Sequence, residues 1–183
     1  MSDAFKFKIV VVGNAAVGKT SLIKRYTTDT FEKDYISTLG MHFSKFDEEV
    51  AGEKVELLLW DLAGQESFNT LRDRFYAGSS GAIIIFSLAP EEIETYNQIK
   101  KWHSDVKEAC GNIPIILFGN KADLVDQKAL ANSPDYATSD VHVEKFTQDH
   151  KIIRYFKTSA LSGQNVKEAF QALVVKLYQR ATI

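Results

Sequence analysis

With 183 residues, the chain has room for one domain with a single core, spanning 1–183, and little for a second. It is 45% hydrophobic and 25% charged, the balance of a soluble globular domain, and its formal net charge of −2 gives no reason to expect a nucleic-acid groove or an anionic membrane as partner. The single cysteine, Cys110, excludes an internal disulfide and fits a reducing compartment, so the expected location is cytoplasmic. The segment Met1-Ser2-Asp3 has no apolar leader, Ser2 stands where N-myristoylation needs glycine, and no apolar run approaches the ~18 residues of a membrane span.

Phe5–Val12 is β-rich and stops at Gly13, and Gly18–Tyr26 then reads as a helix. Met41–Val50 and Lys54–Trp60 are two strands joined at Ala51-Gly52-Glu53, a hairpin signal. Ala82–Phe86 and Ile113–Phe118 are almost wholly apolar, as parallel strands buried on both faces should be. Ile93, Tyr96, Ile99, Trp102 and Val106 recur at helical spacing, with Pro90 tolerated at the helix start. Lys128–Asp140, containing Asn132-Ser133-Pro134-Asp135, reads as a surface loop. Ile152–Phe156 is a last, less apolar strand, and Val166, Phe170, Leu173 and Leu177 mark a final helix. The order implies an α/β fold with a six-stranded, mostly parallel sheet, one antiparallel hairpin strand and about five helices. Ligands of such sheets sit beyond the carboxyl ends of the strands, which makes the loops after the strands the place to look.

After the first strand comes Gly13-Asn14-Ala15-Ala16-Val17-Gly18-Lys19-Thr20, a G-x-x-x-x-G-K-[ST] phosphate loop, continued by Ser21. Its glycines let the backbone wrap phosphates with successive N–H groups and a helix N-terminus, so Ala16, Val17, Gly18, Lys19, Thr20 and Ser21 are the candidate phosphate binders. Lys19 would reach the β- and γ-phosphates, and the Thr20 hydroxyl would ligate Mg²⁺. After the third strand comes Asp61-Leu62-Ala63-Gly64-Gln65-Glu66. Asp61 is placed to hold the Mg²⁺ shell through water. Gly64 can bring its N–H close to a γ-phosphate, and Gln65 could orient an attacking water. After the fifth strand comes Asn120-Lys121-Ala122-Asp123. A carboxylate only accepts, so Asp123 matches the two adjacent N–H donors on the edge of guanine, whereas adenine would leave it unpaired at about 1–3 kcal/mol. After the sixth strand, the backbone N–H groups of Ser159, Ala160 and Leu161 could meet the guanine carbonyl.

Four such motifs in this order, each behind a strand, resemble the Ras superfamily of small GTPases from Lys8 to about Gln179. The resemblance implies a three-layer P-loop NTPase fold and a monomeric switch that binds GTP and GDP with Mg²⁺, hydrolyses GTP, and regulates vesicle or membrane transport or related signalling. It also assigns roles between the first helix and second strand. Phe31 would pack edge-on to the base, Tyr35 would cover the phosphates, and Thr38 would bind both Mg²⁺ and the γ-phosphate. The expected catalytic set is then Lys19, Thr38 and Gln65, and the expected metal set is Thr20, Thr38 and Asp61. Effectors, exchange factors and activating proteins would read switch I and switch II, the latter running from Asp61 to about Ala77. Phe43, Trp60 and Phe75 match an aromatic triad that Rab effectors read, or they are simply packing between hairpin and sheet.

Trp60-Asp61-Leu62-Ala63-Gly64-Gln65-Glu66 and Thr158–Val166 look Rab-like, whereas Thr38-Leu39-Gly40, Leu71-Arg72-Asp73 and Trp102-His103 look more like Ran. Rab is favoured because no acidic tail like Ran's is present. The chain departs from its relatives at Ala15 and Ala16, whose methyl groups would slow unassisted hydrolysis, at Ser37 in place of proline, and at Leu161 in place of the lysine usual in Rab proteins. No cysteine lies near the C-terminus, so a prenyl anchor would need a tail that this chain lacks. The alternatives are a nucleotide-binding scaffold without turnover, supported only by the two alanines, and a P-loop ATPase, opposed by Asn120 and Asp123.

Overall fold

The computed structural model describes residues 5–31, 40–64, 74–132 and 137–183. The strands are β1 (Phe5–Val12), β2 (Met41–Val50), β3 (Glu53–Leu62), β4 (Gly81–Ser87), β5 (Ile115–Asn120) and β6 (Tyr155–Lys157). They form one sheet in the order β2-β3-β1-β4-β5-β6, in which only the β2–β3 pairing is antiparallel. The described helices are α1 (Lys19–Thr28), α2 (Glu94–Asn97), α3 (Ile99–Cys110), α4 (Gln127–Asn132), α5 (Asp140–Asp149) and α6 (Val166–Ala181).

The apolar strands are buried on both faces because helices cover both. In β1, Ile9 and Val11 enter a core with Leu22 and Tyr26 of α1 and Phe170 and Leu173 of α6. Val10 and Val12, one residue out of phase, enter a second core with Trp102 and Val106 of α3 and Val143 of α5. Every residue of β4 is buried, which explains its unbroken apolar run. The edge strand β2 alternates in exposure instead. Ala51 (φ 53) and Gly52 (φ 82) form the two-residue turn to β3, with Val50 paired to Glu53.

Three expectations need correction. The helical pattern from Ile93 to Val106 follows a 3₁₀ turn (Pro90–Glu92) and is divided between the single turn α2 and α3. The Thr95 hydroxyl donates to the Glu92 carbonyl (2.8 Å) and accepts from the Ser87 amide (2.9 Å), pinning this first turn to the end of β4. The expected surface loop at 128–140 begins instead as helix α4. Asp126 caps it by accepting from the amides of Lys128 (3.0 Å) and Ala129 (3.3 Å), and Leu130 is buried in the second core. The last strand is confined to Tyr155–Lys157, although the Ile153 amide already donates to the Ile115 carbonyl (2.8 Å).

Parallel pairing brings the carboxyl ends of β1, β3, β5 and β6 to one edge of the sheet. Val11 is in register with Asp61, Ser87 with Asn120, and Gly119 with Lys157. All four motifs lie just beyond that edge. No helix among the described residues is long and apolar enough to cross a membrane.

Candidate functional site: a nucleotide-binding edge

The phosphate loop is moulded by close backbone contacts. Gly13 has φ 144, and a Cβ there would lie 2.1 Å from the Ile85 carbonyl oxygen of β4. Gly18 has φ 96, and its Cβ would lie 2.3 Å from Asn120 Nδ2. Neither position can hold another residue without displacing what it touches. Ala16 takes the same left-handed region (φ 64) while carrying a methyl group, a local strain of about 1–2 kcal/mol. Asn14 is anchored from α3, since the Trp102 indole N–H donates to its Oδ1 at 2.9 Å.

Lys19 is buried, and its ammonium donates to the carbonyls of Gly13 (3.0 Å) and Asn14 (2.8 Å), which holds the charge over the loop. Among the described residues no side chain caps α1, and its first turn carries no acidic group. The positive end of its dipole, with Lys19 beside it, suits an anion. Ser21 is half-buried in that same turn.

Asp61 is fully buried at the end of β3. The Thr20 hydroxyl donates to its Oδ2, while Oδ1 has no hydrogen-bond partner among the described residues. Burial pushes the Asp61 carboxyl above its usual range, against the opposing pull of the Thr20 hydrogen bond and the Lys19 charge. A hydroxyl and a carboxylate oxygen without a partner are hard oxygen donors, the set a magnesium ion takes. The residues present therefore fit that ion. Gly64 lies against the phosphate loop so closely that a Cβ would be 2.2 Å from the Ala15 nitrogen. The Ala63 amide donates to the Gly40 carbonyl (2.9 Å), tying together the stems of the two expected switch segments.

At the other end of the site, Asn120 acts as a rivet. Its Nδ2 donates to the Val17 carbonyl (2.8 Å), and its Oδ1 accepts from the Ala160 amide (3.2 Å) and the Thr158 hydroxyl (3.4 Å). One buried side chain thus joins the phosphate loop to the loop after β6. Asp123 accepts from the Ser159 hydroxyl, whose oxygen accepts in turn from the Ser162 amide (3.0 Å). Lys121 has φ 63, and its ammonium bonds both carboxylate oxygens of Glu92 at 2.7 Å. Burial raises the Glu92 pKa, but the hydrogen bonds from Lys121 and Ser87 outweigh it, so the group is held below the usual carboxylate range. Leu161 is exposed.

Thus Ala16, Val17, Gly18, Lys19, Thr20, Ser21, Asp61, Gly64, Asn120, Lys121, Asp123, Ser159, Ala160 and Leu161 all lie along one edge. Phe31 is half-buried and packs against the first core. Tyr35, Thr38 and Gln65 lie outside the described residues, as do Ser37, Leu39, Leu71, Arg72 and Asp73. Phe43, Trp60 and Phe75 form a continuous aromatic row, with centroids 5.7 Å apart for the first pair and 6.1 Å for the second. Phe43 is exposed, and the Lys8 ammonium sits 4.2 Å from the Trp60 ring centre. Sequence reasoning missed Glu92 as the partner of Lys121, and Trp102 as the anchor of Asn14. Trp102 drew attention as part of a helical apolar stripe and of a Ran-like dipeptide, not as a contact to the phosphate loop.

The Ras family profile matches residues 8–179, and the chain belongs to that family of small GTPases, switches that bind and hydrolyse GTP. Within the family it is Rab-like. It is 35% identical over 168 residues to the Ras-related protein Rab-13 of Rattus norvegicus, covering 91% of this chain and 77% of that protein. It is 34% identical over 177 residues to the Ras-related protein RABD2a of Arabidopsis thaliana, covering 96% and 82%. To the GTP-binding protein YPT1 of Saccharomyces cerevisiae it is 35% identical over 167 residues, covering 91% and 76%. These relatives favour the Rab branch over the Ran alternative.

Proposed function

We propose that the edge described above binds GTP and GDP with Mg²⁺, that Gln65 catalyses hydrolysis, and that the resulting switch acts in membrane traffic as a monomer. The observation that carries the metal and phosphate half is the Thr20–Asp61 pair beside Lys19, all on one strand edge. Thr20 and Asp61, with Thr38, would hold the ion, whose chemistry is to neutralise charge on the β- and γ-phosphate oxygens. Lys19 supplies a second positive charge there. Asp123 accepts from the base, and its carboxylate is already oriented by Ser159. Gln65 holds a water in line with the γ-phosphorus; the water's oxygen bonds to phosphorus as the bond to the β-phosphate oxygen breaks, and inorganic phosphate leaves. Tyr35 and Phe31 cover the phosphates and the base.

The protein-binding face comprises the two switch segments and the Phe43, Trp60 and Phe75 row. The exposure of Phe43 supports this reading over simple packing, because a purely structural ring would be covered. Effector, exchange-factor and activating proteins would meet it there, and peripheral membrane attachment would require a C-terminal tail carrying lipidated cysteines. Competition titrations should show GDP displacing a fluorescent guanine nucleotide far better than ADP does, and a Mg²⁺ chelator should accelerate GDP release many-fold. Equal competition by ADP would remove the guanine assignment, and an unchanged release rate would remove the metal assignment.

A further inference from the structure

The C-terminal turn of α1 contributes to the guanine end of the site through a residue that no motif marks. The Arg25 side chain is 17% exposed and spans from α1 to the loop after β6. Its Nε donates to the Ala160 carbonyl and its Nη2 to the Leu161 carbonyl, both at 2.8 Å. Its Nη1 is held by Asp29, through the backbone oxygen (3.1 Å) and Oδ1 (3.3 Å). The Asp29 amide closes the arrangement by donating to the Arg25 carbonyl (3.1 Å).

A trans peptide points its C=O and N–H in opposite directions, and the described chain has no cis peptide. By fixing the Ala160 carbonyl toward α1, Arg25 turns the Leu161 N–H away from it. By fixing the Leu161 carbonyl, it orients the Ser162 N–H, which donates to the Ser159 hydroxyl oxygen that in turn donates to Asp123. The Leu161 side chain is aliphatic and offers no polar group, so at this position the loop can address a base only through its backbone.

We infer that Arg25 is a positioning residue for guanine: its planar fork aligns the loop Ser159–Leu161 so that backbone N–H groups meet the base carbonyl. This rests on the guanine-binding reading above. A lysine could not reproduce the effect, because a single ammonium on a flexible stem cannot fix two successive carbonyls and Asp29 together.

The test uses the full chain as wild type, Arg25→Ala and Arg25→Lys. Affinities are measured for GDP and for 6-thio-GDP, in which sulfur replaces the base carbonyl oxygen and the donor edge facing Asp123 is kept. Single-turnover GTP hydrolysis is measured in parallel. Wild type should prefer GDP to 6-thio-GDP. Arg25→Ala should weaken GDP binding about tenfold, weaken 6-thio-GDP binding much less, and leave hydrolysis of bound GTP within about twofold. Arg25→Lys should also lose most of the preference, and it reports the same contact if the alanine variant folds poorly. An equal loss for both nucleotides, an unchanged preference in both variants, or no preference in wild type would overturn the inference. Failure of wild type to prefer GDP over ADP would instead overturn the guanine site itself.

Discussion

Removing the Asn120 side chain should uncouple the two halves of the site. Asn120→Ala strips the Val17 carbonyl of its 2.8 Å donor and the Ala160 amide of its 3.2 Å acceptor, both in surroundings that exclude water. It also removes the acceptor of the longer contact from Thr158, at 3.4 Å. A buried polar group left without a partner costs about 1–3 kcal/mol, so the two strong contacts together amount to ~2–6 kcal/mol, with little added by the third. The loss falls on the joint between phosphate loop and base loop, and it should therefore appear mainly in nucleotide affinity. At 1.4 kcal/mol per factor of ten, the loss in GDP affinity should be on the order of thirtyfold to twenty-thousandfold. The assay is a GDP competition titration, with urea unfolding at fixed GDP excess to separate binding from stability, because ligand raises the apparent stability by mass action. GDP affinity within about threefold of wild type, with an unshifted unfolding midpoint, would refute the rivet role.

Two further substitutions test local details. Ala16→Gly should relieve the left-handed strain at φ 64 and, after the entropy glycine adds to the unfolded chain, stabilise the GDP-bound protein by up to about 1 kcal/mol, or roughly 2–4 °C in thermal unfolding; a lower melting temperature would contradict the strain. Glu92→Gln should remove a pH-dependent contribution. The folded Glu92 pKa lies below its ordinary 4.5, so its stabilisation is complete above that value and is lost as pH falls through the depressed folded pKa. The stability gap between wild type and Glu92→Gln, measured by urea unfolding, should be widest near neutrality and narrow as pH falls below 4.5; a gap that widens with acid would contradict the ion pair.

Much of this was legible because the site is built from contiguous motifs. Gly13–Thr20, Asp61–Gly64, Asn120–Asp123 and Thr158–Leu161 each follow a strand whose apolar run announces it, and strand ends in a parallel sheet converge. The apolar runs at Ala82–Phe86 and Ile113–Phe118 foretold burial on both faces, although the second strand begins two residues later, at Ile115. What escaped were contacts between distant segments. Glu92 and Lys121 are 29 residues apart, and Arg25 and Ala160 are 135 apart. Nothing in either neighbourhood distinguishes such a charge from a solvated one. Helix α4 escaped for another reason. Its single turn and a half is too short for a periodic pattern, and its capping Asp126 looks like any loop aspartate. The docking of α2 on the end of β4 through Thr95 is likewise a contact that helical spacing alone does not reveal.

Whether Gln65 turns over bound GTP is read by single-turnover hydrolysis. Purified wild type loaded with GTP and Mg²⁺ should release phosphate slowly, and Gln65→Leu should bind GTP nearly as well while hydrolysing it about tenfold or more slowly, equivalent to about 1.4 kcal/mol of lost transition-state stabilisation. No phosphate release from wild type over many hours, or equal rates for the two proteins, would contradict turnover by Gln65 and favour a scaffold that binds nucleotide without turning it over.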